Sequence, residues 1–92
     1  MGTLSQKTNC PVCGWDLGFP AWQADSACDE ICPCCGIQFG YDDFAAGDIK
    51  DRATVHQEWR ERWKQRGMPW SSLGRTPPVG WDPVRQLHGI GV

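Results

Sequence analysis

Ninety-two residues carrying a formal net charge of -2, 40% hydrophobic content and six cysteines describe one small domain with little core to bury. No apolar run is long enough to span a bilayer, and Met1-Gly2-Thr3-Leu4-Ser5-Gln6-Lys7-Thr8 holds neither a secretory h-region nor the Ser or Thr at position 6 that myristoylation requires, so a cytoplasmic protein with no membrane partner is expected. The acidic balance is the wrong sign for a generic binder of phosphate backbones.

In chain order, residues 1–8 are polar and expected to fray, 9–87 form a single metal-binding domain, and 88–92 make a flexible tail. The domain opens on Cys10-Pro11-Val12-Cys13-Gly14, and Cys32-Pro33-Cys34-Cys35-Gly36 repeats the pattern. In each, thiols stand at i and i+3 around a tight bend, with Pro fixing φ after the first Cys and Gly free to take positive φ after the second. Two such turns supply the four thiolates of a closed tetrahedral shell, so Cys10, Cys13, Cys32 and Cys35 are the expected ligands of one structural Zn²⁺, with iron the alternative that the same donor set accepts. Paired C-x-x-C spacing in a reducing compartment favours this over disulfides. Four thiolates and one divalent ion would bring the charge to about -4, since the ligands must be deprotonated to bind.

Between the two turns, Trp15 to Trp22 reads as an irregular loop or short hairpin strand on the metal centre, and Gln23 to Cys28 as an exposed loop. Asp29-Glu30-Ile31-Cys32 and Ile37-Gln38-Phe39-Gly40-Tyr41 are expected strands entering and leaving the second turn. Asp42-Asp43-Phe44-Ala45-Ala46-Gly47-Asp48 is an acidic turn without the positions of an EF-hand loop. Thr54-Val55-His56-Gln57 matches a capping box, predicting a helix over 55–66 with Val55, Trp59 and Trp63 on its buried stripe. Gly67 is the expected left-handed residue after it, Met68 the contact for Trp63, and Pro69 the stop. Ser71 to Gly80 reads as a loop, and Asp82-Pro83 announces a final helix of one to two turns. The predicted fold is thus a small metal-stapled α+β domain of zinc-ribbon or rubredoxin-like kind: two-knuckle β-hairpins, one amphipathic helix, and a short C-terminal helix.

Cys28 and Cys34 are left over. Either is a small buried hydrophobe, a redox thiol, or, for Cys34, an alternative ligand. His56 and His88 are expected at the surface, because four sulfurs leave the metal no open catalytic position. No H-E-x-x-H, Gly-rich phosphate loop or H-x-E partner for a deaminase-like P-C-x-x-C is present, and an enzyme is not expected.

The run from Glu30 through Cys32-Pro33-Cys34-Cys35-Gly36 to Asp43 resembles the bacterial cysteine-rich CPCC proteins, and the first turn, Trp59 and Trp63, Gly67-Met68-Pro69-Trp70 and Gly80-Trp81-Asp82-Pro83 extend the likeness over about residues 9 to 87. Many members carry the doubled cysteine in the first turn; this chain carries it in the second. The resemblance implies a single-domain metal-binding protein and, for some members, service as the immunity partner of a secreted bacterial toxin.

Two uses follow. One is a zinc-stabilised interaction module, an immunity or adaptor protein, meeting a basic protein partner through Trp22, Trp70 and Trp81 and the acidic Asp25, Asp29, Glu30, Asp42, Asp43 and Asp48. The other is nucleic-acid binding through Arg52, Arg62 and Arg66, in a stretch with a local excess of positive charge. A weaker third is a redox or metal sensor acting through Cys28 and Cys34.

Overall fold

The computed structural model describes residues 8–24, 26–44 and 49–92, with side-chain burial in the long helix described from Asp51 onward. The expected frayed segment up to residue 7, Asp25, and the 45–48 part of the acidic turn lie outside the described residues.

Each Cys-Pro-x-Cys-Gly turn is closed by the same three backbone hydrogen bonds. In the first, Gly14 N donates to Cys10 O at 2.9 Å, Cys10 N to Trp15 O at 2.7 Å, and Leu17 N to Thr8 O at 2.8 Å. In the second, Gly36 N donates to Cys32 O at 2.9 Å, Cys32 N to Ile37 O at 2.8 Å, and Phe39 N to Glu30 O at 3.1 Å. The flanking segments pair only through single antiparallel bridges, Asn9 with Asp16 and Ile31 with Gln38, so the expected strands of the second turn shrink to one bridge. The regular sheet among the described residues lies instead where a loop was expected: β1 (Trp22–Gln23) runs antiparallel to β2 (Ser26–Ala27), with Trp22 opposite Ala27 and Ala24 at φ 54° in the connection.

Helix α1 spans Ile49–Gln65, and so begins well before the capping box. The competing influence is tertiary. Arg52 is buried against β1, its guanidinium carbon 3.5 Å from the Trp22 ring centroid, which stabilises an extra turn that Thr54 would have truncated. The buried stripe is correspondingly rotated: Arg52, His56 and Trp63 are enclosed, whereas Val55 and Trp59 are half-buried. The C-terminus is a complete Schellman motif, with Gly67 at φ 90°, Gly67 N donating to Lys64 O at 3.0 Å and Met68 N to Trp63 O at 2.9 Å, and Met68 packs on the core as expected. Helix α2 is Pro83–His88; Asp82 caps it, accepting from Val84 N and Arg85 N, with Pro83 in the first turn.

The core and the cysteine cluster occupy one volume. Cys10, Cys13, Cys32, Cys34 and Cys35 are enclosed together with Val12, Ile37, Phe39, Trp63 and Leu87. Trp15, Trp22, Trp59, Trp70 and Trp81 are half-buried around them, Trp70 standing edge-on to both Trp15 and Trp81 at 4.9 and 5.3 Å between centroids. Trp22, Trp70 and Trp81, expected as exposed partner contacts, thus serve mainly as packing. Their indole N–H groups all bond inward or locally, to Asp43, to Arg75 O and to Gln86 respectively.

Candidate metal centre

The two turns bring Cys10, Cys13, Cys32 and Cys35 together with every pair of sulfurs within 4.8 Å and all four side chains enclosed. Across the turns, Cys10 Sγ stands 3.8 Å from Cys35 Sγ, and Cys13 Sγ 3.7 Å from Cys32 Sγ. Metal–sulfur bonds of about 2.3 Å place the sulfurs of a tetrahedron about 3.8 Å apart, whereas a disulfide requires about 2.05 Å. The spacing fits a metal shell, and all six cysteines are free thiols.

Electrostatics point the same way. Contact with the Cys10 thiol, then with Cys32, Cys34 and Cys35, together with burial, pushes the Cys13 thiol far above its ordinary value; burial, followed by Cys10, does the same to Cys35. Thiols of Cys10, Cys13 and Cys35 donating to Cys32 pull that one far down. Four thiolates buried this close together repel one another, so holding all four deprotonated requires a cation among them. The donor set suggests a metal ion.

Residues distant in sequence hold the shell. Two neighbours on α1 each secure one turn. Trp59 Nε1 donates to Cys35 O at 3.0 Å on the second, while Arg60 grips the first, Nε to Val12 O at 2.7 Å and Nη2 to Pro11 O at 2.8 Å. From α2, Gln86 Nε2 donates to Cys13 O at 2.9 Å and to Cys34 Sγ at 3.3 Å, and its Oε1 accepts from Trp81. Ser71 N and Ser72 N reach Pro33 O at 3.2 and 2.9 Å. Arg60 and Gln86 carried no signal in the sequence; their partners are main-chain carbonyls many residues away.

Cys34 is therefore enclosed and turned to Gln86, outside the four-sulfur group. Cys28 is half-buried beside Phe19 and Pro20 in a surface groove. The two thiols have different neighbours, and neither is bonded to the other.

Several other expected site residues are relocated. Asp43 is not a surface acid: it is wholly enclosed, its Oδ2 accepting from Trp22 Nε1 at 2.8 Å and lying 2.6 Å from His56 Nε2, its Oδ1 accepting from Gly40 N at 2.7 Å. His56 is correspondingly buried, 8% exposed, because its ring must meet that carboxylate. Burial opposes ionisation of Asp43, but the bonds from His56, Trp22 and Gly40 outweigh it and hold its carboxyl below the ordinary value of 3.8. Arg52 is buried rather than at the surface, stacked on Trp22 with Nη1 donating to Ala24 O. Arg62 and Arg66 are exposed, Arg62 lying 5.4 Å from the Trp59 ring centroid. Asp42 is exposed, and its carboxylate accepts from Gln38 N at 2.8 Å.

Because its folded value is depressed, Asp43 contributes stability that is fully present above the ordinary carboxyl range and lost as pH falls through the lower folded value. Asp43→Asn is expected to cost about 1–3 kcal/mol at neutral pH by weakening a buried charged hydrogen-bond network. In urea titrations of both metal-loaded proteins that difference should be present at neutral pH and should not widen as the pH is lowered over the range in which the metal stays bound; a gap that widens toward acid would contradict this assignment.

The chain matches no protein-family model, and neither a curated protein nor a solved structure is significantly similar to it. No helix among the described residues is long and apolar enough to cross a membrane.

Proposed function

We propose that this chain is a non-enzymatic, zinc-stapled interaction module of the CPCC kind, a two-knuckle zinc ribbon acting as an immunity or adaptor protein, whose second turn presents a surface for a basic protein partner. The observation that carries this reading is the outer face of that turn. Ile31, Tyr41 and Phe44 are 59%, 70% and 56% exposed, and Asp29, Glu30 and Asp42 stand exposed in the same segment. Large apolar side chains exposed in the segments flanking the second turn, with exposed acids in the same stretch, have the composition of a docking patch for an apolar and cationic surface. Backbone ties at Cys32, Gly36 and Phe39 fix the patch in place before binding, which lowers the ordering cost of association.

The test is quantitative affinity capture from the native host with the zinc-loaded protein and with an Ile31→Asp/Tyr41→Ala variant of equal metal content, followed by reconstitution with the purified binder. A basic protein retained by the parent and weakened at least tenfold by the variant, about 1.4 kcal/mol or more, is the expected result. A purified binder that holds parent and variant equally, or no binder at all, would overturn the reading.

Nucleic-acid binding remains a second reading, favoured by Arg62 in the last turn of α1 and Arg66 just beyond its end, both exposed beside Trp59. Steep loss of affinity with salt for a short DNA or RNA would support it, and no binding at low salt would remove it.

A further inference from the structure

Helix α1 borders a cavity of about 490 Å³ between the helix, the first turn and β1. Arg52, His56 and Arg60 line it from α1, Trp22 from β1, and Ile90 and Val92 from the segment after α2. Its size lies within the usual range for small-molecule sites, about 300–1,000 Å³.

Among the described residues the charge on its walls is one-sided: no carboxylate side chain lines the cavity, and no acid lies within ion-pair distance of either guanidinium. Asp43 stands behind His56 and is spent on that ring, the Trp22 indole and Gly40 N. Arg60 is bound only to neutral carbonyls, Pro11 O and Val12 O. Arg52 is the telling residue. It is 8% exposed, its plane lies on Trp22, its Nη1 makes one long contact of 3.3 Å to Ala24 O, and its Nε is enclosed without any partner. A buried guanidinium N–H is costly to leave unpaired, and native structures rarely do so unless an acceptor is supplied from elsewhere.

We infer that this cavity binds a small oxyanion, a carboxylate or phosphate, borne on an apolar or aromatic body. The anion sits between Arg52 and Arg60, taking the Nε–H of Arg52, and the body lies against Ile90, Val92 and Trp22. Guanidinium forks suit both anions, so the two sources are separated by experiment. The site is independent of the protein-docking patch proposed above, and either can fail without the other.

The test is a two-dimensional NMR titration of the metal-loaded protein with phenyl phosphate, benzoate, inorganic phosphate and, as a neutral control, benzyl alcohol. Expected are saturable shifts of the Arg52 Nε–H, the Trp22 indole N–H and the Ile90 and Val92 amides with phenyl phosphate or benzoate, whichever is stronger naming the anion. Inorganic phosphate should bind at least tenfold more weakly, and benzyl alcohol not at all. Arg52→Met, which keeps the stacking volume, should weaken binding at least tenfold; should it fail to fold, Arg52→Lys, which keeps the charge and loses Nε, takes its place with the same expectation. Absence of saturation at these groups with both aryl anions, equal binding of benzyl alcohol, inorganic phosphate binding as tightly as phenyl phosphate, or unchanged binding in the Arg52 variant would each overturn the inference.

Discussion

Stripping the metal from Cys10, Cys13, Cys32 and Cys35 should erase most of the α1 helical signal and leave an expanded chain. Structural zinc in small domains contributes on the order of 10–16 kcal/mol at neutral pH, as much as or more than the whole stability of a typical domain, about 5–15 kcal/mol. Here the four sulfurs are not an appendage to the core; they are enclosed with Val12, Ile37, Phe39, Trp63 and Leu87 in a single cluster, so losing the ion removes its centre. Two of the anchors of α1, Trp59 and Arg60, end on carbonyls of the cysteine turns. Cys32→Ser should match the chelated protein, whereas Cys34→Ser and Cys28→Ser should keep one metal per chain and a folded spectrum. Metal analysis with far-ultraviolet circular dichroism checks this. A helical signal indifferent to complete chelation would sink the idea, and loss of the metal in Cys34→Ser would redraw the ligand set.

The second large effect concerns two glycines that look equivalent in sequence and are not. Gly14 and Gly36 close the two turns at φ 88° and 83°, a conformation costing an L-residue about 1–2 kcal/mol. They differ in what a methyl group would meet. At position 14 it would lie 2.5 Å from the carbonyl oxygen of Gln86, main chain of α2 that cannot yield without dragging the helix off both turns. At position 36 it would lie 2.6 Å from Ser71 Oγ, which can rotate away, and 3.3 Å from Ser71 Cβ, which must give by a few tenths of an ångström. Gly14→Ala is therefore expected to cost about 3–5 kcal/mol and Gly36→Ala about 1–2 kcal/mol in urea titrations of the metal-loaded protein. Ser71→Gly should recover part of the smaller loss. Equal losses at the two positions would mean that backbone conformation alone matters there.

What could be read from the sequence was local chemistry. The Cys-Pro-x-Cys-Gly spacing names its own ligands, Gly67-Met68 its own helix end, and Asp82-Pro83 its own helix start, because in each case the residues that make the feature are neighbours in the chain. The structure brings the four cysteines together and leaves Cys34 aside. The features that escaped are polar side chains buried by distant partners. Nothing near Asp43 says that Trp22 and His56 will close over it, and nothing near Arg52 says that it will lie on an indole 30 residues earlier in the chain. These residues also displaced the helix stripe, since hydrophobic periodicity cannot register an enclosed Arg or His. The short strands failed for a different reason: with only one bridge on each side, the turns draw their rigidity from the sulfurs and from α1 and α2, not from a ladder.

Gln86 bears on the order of events during synthesis. Both Cys-Pro-x-Cys-Gly turns leave the ribosome long before it does, so an ion captured at once would have all four sulfurs but an uncovered flank, with Cys13 O and Cys34 Sγ still open to water. Arrival of α2 closes that side, turning an exchangeable ion into a retained one. Metal release from a mature Gln86→Ala chain to a chelator should accordingly be faster, while one ion is still bound at equilibrium.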